Sequence, residues 1–171
     1  MFDKTGTLTC GTPRITNMIA VKGNEEQLLE RAGALQRGSE HPLAKAVLDA
    51  CREWQLKLDS TEHSQALTGR GIAGDVEGHQ LALGNRRLLE ENNLQMGELS
   101  ESARTWEAEG RTLSWLIELG PQPVVLGMFA FGDTLKPGAE QAMQQLGARG
   151  ISCHLLTGDN PGSARAVADA L

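Results

Sequence analysis

The chain has 171 residues, 40% of them hydrophobic, which is enough for one or two small cores. Lys and Arg number 16 against 22 Asp and Glu, a formal net charge of −6 that argues against a nucleic-acid surface and leaves any nucleotide site dependent on local positive groups. No apolar run approaches the roughly 18 residues of a membrane span, no signal-peptide pattern opens the chain, and Cys10, Cys51 and Cys153 form no paired metal spacing and suit a reducing compartment.

In chain order, Asp3-Lys4-Thr5-Gly6-Thr7-Leu8-Thr9 reads first as a tight loop rich in Gly and Thr, and residues 13–21 as an extended piece leading out of it. A helix follows with Leu28, Ala32 and Leu35 on one face, ended by Gly38. A second helix starts at Pro42, whose missing N–H costs nothing in a first turn, and places Leu43, Val47, Ala50 and Trp54 on one stripe. Residues 63–83 read as short strands with Gly69, Gly71, Gly74 and Gly78 as turn points, and Ile72, Val76, Leu81 and Leu83 supply a period of two. A helix over 98–108 and a strand over 111–119 come next, and Gly120-Pro121-Gln122-Pro123 is the clearest linker.

Beyond it lies the most apolar segment, 124–132, expected as a buried strand. A helix from Pro137 with Ala139, Met143 and Leu146 inward, a strand over 151–156 and a helix after Pro161 complete the chain. This strand-helix-strand-helix order predicts a parallel α/β unit, with Asp133 and Thr157 at the strand ends where ligands gather. The fold class expected is therefore α/β, an antiparallel sheet with packed helices inserted into an incomplete parallel α/β domain. The division is 1–12, then 13–120 for the insertion, then 121–171.

The opening heptad carries chemistry. An aspartate that attacks a phosphoryl group needs its charge offset by Mg²⁺ and backbone amides. An acid at position 5 could activate water or protonate a leaving group; Thr5 does neither well, so a phosphate placed on Asp3 persists. This heptad resembles the phosphorylation motif of the P-type ATPases, and Thr157-Gly158-Asp159-Asn160 is similar to the second phosphate-site motif of that family. The resemblance implies a haloacid-dehalogenase-like phosphorylation domain, with Asp3 as nucleophile and Thr5 turning its carbonyl to Mg²⁺ and its hydroxyl to phosphate. Thr157 and Gly158 would hold phosphoryl oxygens, and Asp159 would support the ATP-bound arrangement. Lys4 and Lys136 are weaker candidates for electrostatic support, and Asp133 for ordering the loop or capping a helix.

Within the middle segment, Ser39-Glu40-His41-Pro42-Leu43 resembles the His-Pro motif of the heavy-metal-transporting branch, and Gly69-Arg70-Gly71-Ile72 with Gly84-Asn85-Arg86 resembles its remaining nucleotide-binding elements. The implied ligand is ATP, with His41 stacking on or hydrogen-bonding to the purine, Glu40 accepting from its exocyclic amine, and Gly69 and Gly71 admitting the backbone close to the nucleotide. Gly69-x-Gly71 is not followed by a clear helix, so it is no dinucleotide fingerprint and can equally serve tight turns. Arg70, Arg86 and Arg87 face either phosphates or solvent.

The resemblance also sets expectations about context. The family continues, beyond the point matching Leu171, with a lysine and a Gly-Asp-Gly-x-Asn-Asp segment; neither occurs here, nor do membrane helices or a Cys-Pro-Cys motif. The expected reading is a soluble piece from the cytoplasmic face of a pump, binding ATP without turning it over by itself. Its partners would be the remaining phosphorylation, actuator and membrane domains, with no nucleic acid and no direct membrane insertion. The run Ala82-Leu83-Gly84-Asn85-Arg86-Arg87-Leu88 resembles copper pumps more than zinc or cadmium pumps, and His41, His63, His79 and His154 form no ligand set. A haloacid-dehalogenase-like phosphatase and a noncatalytic nucleotide-binding module are the alternatives.

Overall fold

The computed structural model describes residues 1–157 and 161–171. Two sheets are present among them. A two-stranded parallel pair joins β1 (Phe2–Asp3) to β8 (Leu155–Leu156), and a six-stranded antiparallel sheet runs in the order β2-β7-β6-β5-β4-β3. The latter contains β2 (Thr9–Ala20), β3 (Thr61–Leu67), β4 (Gly71–Val76), β5 (His79–Gly84), β6 (Thr112–Glu118) and β7 (Val124–Leu135).

Helices α1 (Glu25–Gln36) and α2 (Pro42–Glu53) cover one face of the large sheet. Asn24 starts α1 by accepting from the Gln27 N–H at 2.8 Å, which satisfies one orphan donor of the first turn. Leu28, Leu29, Leu35 and Val47 then pack on Val76, Leu81, Leu83, Leu116, Phe129 and Phe131. On the opposite face, Leu88 and Leu89 of α3 (Arg86–Glu91) and Ala103 of α4 (Ser100–Ala108) pack on Ala82, Leu113, Trp115, Ile117, Met128 and Ala130. Each fully buried Leu contributes about 1.5–3 kcal/mol, so the doubly covered strands β5 to β7 are where stability concentrates.

The buried strand expected over 124–132 is present, but its place in a parallel unit is corrected. A strand buried on both faces loses the alternation of a half-exposed strand and reads like a parallel one, yet β7 is antiparallel to both neighbours, β2 and β6. Gly120-Pro121-Gln122-Pro123 is accordingly the turn of the β6–β7 hairpin, and the boundary drawn at 120/121 falls inside that hairpin. The ladder starts before residue 13 as well, with Thr9 opposite Leu135. Only the last two residues of 151–156 form a strand, and they supply the parallel pairing.

Smaller differences have local causes. Trp54 follows the last turn of α2 and is 46% exposed, while Ala44, Ala46, Val47 and Cys51 make the buried stripe. Gly74 lies within β4, where a Cβ would come within 2.8 Å of Thr61 Cγ2. Met143 and Leu146 of α5 (Ala139–Ala148) are half-buried and only Ala139 is enclosed. The six-residue α3 is too short for its periodicity to show in sequence. α6 (Pro161–Asp169) closes the chain.

Candidate functional site

The parallel pair sets the first part of the site. Asp3 stands opposite Leu156 and Phe2 opposite Leu155, and the Phe2 N–H donates to the His154 carbonyl at 2.8 Å. Asp3 therefore ends one strand while Thr157 directly follows its neighbour, so both emerge at the same carboxyl edge, where open α/β sheets gather ligands. The Asp3 carboxylate is exposed and Lys4 is buried.

After Asp3 the backbone makes one helical turn over Lys4–Leu8, with Gly6 at φ +79°. The buried Thr9 hydroxyl donates to the Lys4 carbonyl at 3.0 Å. Lys136 holds the same loop twice: its ammonium donates to the Gly6 carbonyl and its N–H to the Leu8 carbonyl. Both Asp133 oxygens accept from the Gly11 N–H, at 3.0 and 3.1 Å. Of the two roles expected for Asp133, ordering the loop is the one this geometry carries, since Gly138 stands at the start of α5. Gly158 and Asp159 lie outside the described residues, as does the Thr5 side chain.

The second part is a groove of about 530 Å³ on the α1/α2 face of the sheet. Its floor includes Ala66, Ile72, Leu83, Ser114 and Phe131, its walls the α1–α2 connection and the loops at 67–71 and 84–85. His41, Gly69, Gly71, Ile72, Gly84 and Asn85 all line it. Glu40 is exposed and is not part of the lining, whereas Gln36 is. No periodicity marked Gln36; only the topology brings the last residue of α1 over the sheet.

Several of these side chains also build the walls. His41 Nδ1 accepts from the Leu43 N–H at 3.2 Å and so caps α2, leaving Nε2 for other partners. Asn85 Oδ1 accepts from the Arg87 N–H at 3.1 Å to start α3, and its Nδ2 donates to the Gly69 carbonyl at 2.9 Å. Gly71 and Gly84 are cross-strand partners, and a Cβ on either would collide with the opposite backbone. Gly69, at φ +69°, faces open space.

The arginines are paired with acids. Arg70 donates to Glu91 at 2.8 Å, Arg87 to the same carboxylate at 3.2 Å, and Arg86 to Glu107 at 2.7 Å. The Arg70 hydrogen bond holds the Glu91 carboxyl below the usual range. Arg70 alone of the three lines the groove, and no Asp or Glu joins the lining, so the groove suits an anionic ligand with an apolar part.

An exposed aspartate closing a short parallel strand, followed by an inserted antiparallel sheet, defines the class. The family model described as haloacid dehalogenase-like hydrolase matches residues 1–171, and the chain belongs to that family. Within it, the chain is homologous to the catalytic and nucleotide-binding regions of heavy-metal P-type ATPases. It is 36% identical over 169 residues to a silver-exporting P-type ATPase of Salmonella typhimurium, covering 98% of this chain and 20% of that protein. Identity to a copper-transporting P-type ATPase of Rhizobium leguminosarum bv. viciae is also 36%, over 172 residues, covering 100% of this chain and 20% of that protein. A zinc-transporting PIB-type ATPase in its E2.Pi state superposes with a TM-score of 0.89 at 34% identity, covering 99% of this chain and 27% of that one. The chain thus spans about a fifth of the length of these curated relatives. Among the described residues, no helix is long and apolar enough to cross a membrane.

Proposed function

We propose that this chain is the ATP-binding and phosphorylated portion of a heavy-metal pump, with copper(I) as the transported ion. The observation that carries the reading is the parallel pairing of Asp3 with Leu156, which sets the carboxylate and Thr157 at one strand edge. ATP is the substrate, its base in the groove beside His41 and its phosphates directed to Asp3. An Asp3 oxygen attacks the γ-phosphorus, the bond from that phosphorus to the β,γ-bridging oxygen breaks, and ADP leaves with the electron pair.

Lys136 contributes by fixing the loop carbonyls of Gly6 and Leu8 in place. Thr157 and Gly158 hold phosphoryl oxygens, Asp159 supports the ATP-bound arrangement, and Lys4 lends positive charge beside the nucleophile. Because Thr5 offers no carboxylate to activate water, the acyl phosphate outlives the transfer step. The exposed Asp3 carboxylate and the Thr5 backbone carbonyl are hard oxygen donors that suit Mg²⁺, and they would hold it. Mg²⁺ would supply charge neutralisation for the transferred phosphoryl group.

The partners proposed are the remaining phosphorylation, actuator and membrane domains of such a pump, because most of the relatives' length lies outside the matched region. Copper rests on the run 82–88 and on the silver-exporting and copper-transporting relatives. Acid-quenched labelling of the pump containing this chain, with ATP radiolabelled on the γ-phosphate, tests the reading. A copper-dependent, hydroxylamine-sensitive label that disappears in Asp3→Asn is expected. Hydrolysis of small phosphoesters without such a label would replace the pump by a phosphatase.

A further inference from the structure

Ser114 is the one polar residue among the buried positions of β6, between Leu113 and Trp115. It is 8% exposed, and what surface it keeps opens into the groove. Strand alternation puts it on the α1/α2 face with Leu116, opposite Phe129 of β7. On its other side β5 has just ended, since Gly84, its last residue, pairs with Trp115. Departure of the chain into α3 at that point is what leaves Ser114 uncovered toward the groove. Among the described residues, no group forms a hydrogen bond to its hydroxyl.

Among the described residues, the buried side-chain polar atom left without a partner is Trp115 Nε1 and not the Ser114 hydroxyl; the hydroxyl keeps its access to the groove, where a bound ligand can replace water as its partner. We propose that the Ser114 hydroxyl is a base-reading contact, hydrogen-bonded to the polar edge of the purine; this rests on the ATP-binding reading above. The surroundings favour the base over the phosphates. Ile72, Leu83 and Phe131 make this part of the floor apolar, suited to a flat aromatic face, while the Arg70 guanidinium is held by Glu91 of α3, a residue outside the lining. A hydroxyl both donates and accepts by rotating, so Ser114 can serve a ring nitrogen or an exocyclic amine.

The test is calorimetric titration of the 171-residue chain and of Ser114→Ala and Ser114→Thr with ATP and with inorganic tripolyphosphate, beside thermal melts. Loss of one hydrogen bond weakens ATP binding about 3- to 10-fold in Ser114→Ala, with tripolyphosphate binding unchanged and the melting temperature not lowered. Ser114→Thr retains the hydroxyl and keeps affinity within about 2-fold, a smaller change than loss of the bond. ATP bound equally tightly by Ser114→Ala and wild type overturns the proposal and assigns the hydroxyl to water. Equal losses for ATP and tripolyphosphate overturn it too, by moving the contact to the phosphates. A folded wild-type chain that binds no ATP removes the nucleotide reading itself, a failure distinct from binding that ignores Ser114.

Discussion

Replacing Gly71 by alanine separates two reasons for a glycine at that position. Its φ of +151° lies where only glycine is at ease, a strain of about 1–3 kcal/mol for any other residue. The new Cβ would also collide with the Leu83 carbonyl oxygen and stand 2.6 Å from Gly84 Cα. These are backbone atoms of a paired strand that cannot swing aside, so overpacking adds about 1–3 kcal/mol. The sum, about 2–6 kcal/mol, is a large part of the 5–15 kcal/mol typical of a domain. At about 2–4 °C per kcal/mol for a chain of this size, the melting temperature falls by roughly 4–24 °C. Gly69→Ala is the control: it has positive φ but open space around it, so only the left-handed penalty of about 1–2 kcal/mol applies. Differential scanning calorimetry on both variants decides. If Gly71→Ala melts no lower than Gly69→Ala, the close approach of β4 and β5 is not what demands glycine, and nucleotide access becomes the better reason.

His41→Asn keeps a side-chain acceptor at the start of α2 and removes the imidazole; ATP affinity drops by about 1–2 kcal/mol while the melting temperature stays near wild type, and a titration with unchanged affinity would take His41 out of the site. Glu91→Gln removes the charge that Arg70 and Arg87 share. Because these pairs are surface-exposed, stability changes by no more than about 1 kcal/mol, and urea melts showing several times that would contradict the surface assignment. Burial, and secondarily the nearby Glu30 charge, pushes the Cys51 thiol up to about 11 from 9.0. The folded state therefore holds this proton more tightly than the unfolded state, so the stability it contributes is complete below pH 9 and declines as pH rises toward about 11. Mass spectrometry after brief alkylation at pH 8 should show Cys10 and Cys153, both exposed, modified before the buried Cys51; the reverse order would contradict the burial.

Residues that act through local rules were the legible ones. Gly38 ends α1, Pro42 starts α2, and the Asp3 and His41 motifs pointed to the two parts of the candidate site because their chemistry sits in short contiguous strings. Pairing partners were not legible. The apolar run of β7 satisfies parallel and antiparallel neighbours equally, and only the ladders to Ile19 on one side and Trp115 on the other distinguish them. Gln36 was not legible for the same reason: separation from His41 in sequence says nothing about which side chain overhangs the sheet. Asn85 read as a ligand contact, yet its own hydrogen bonds join the Gly69 loop to α3, which no string of residues announces.

The ladder of β2 and β7 has a mechanical meaning. Thr9 meets Leu135 and Pro13 meets Asp133, with a register shift between the two pairs, so the chain leaves the Asp3 loop and returns toward α5 along the same narrow ribbon. A two-stranded ribbon resists stretching and shear through its cross-links, but it bends readily out of its plane, most of all where a bulge interrupts the ladder. The clasp of Asp133 on the Gly11 N–H lies within that interrupted stretch. The Asp3 loop and the approach to α5 are thus tied to the sheet through one pair of strands, so a displacement of either strand at this point is passed to both.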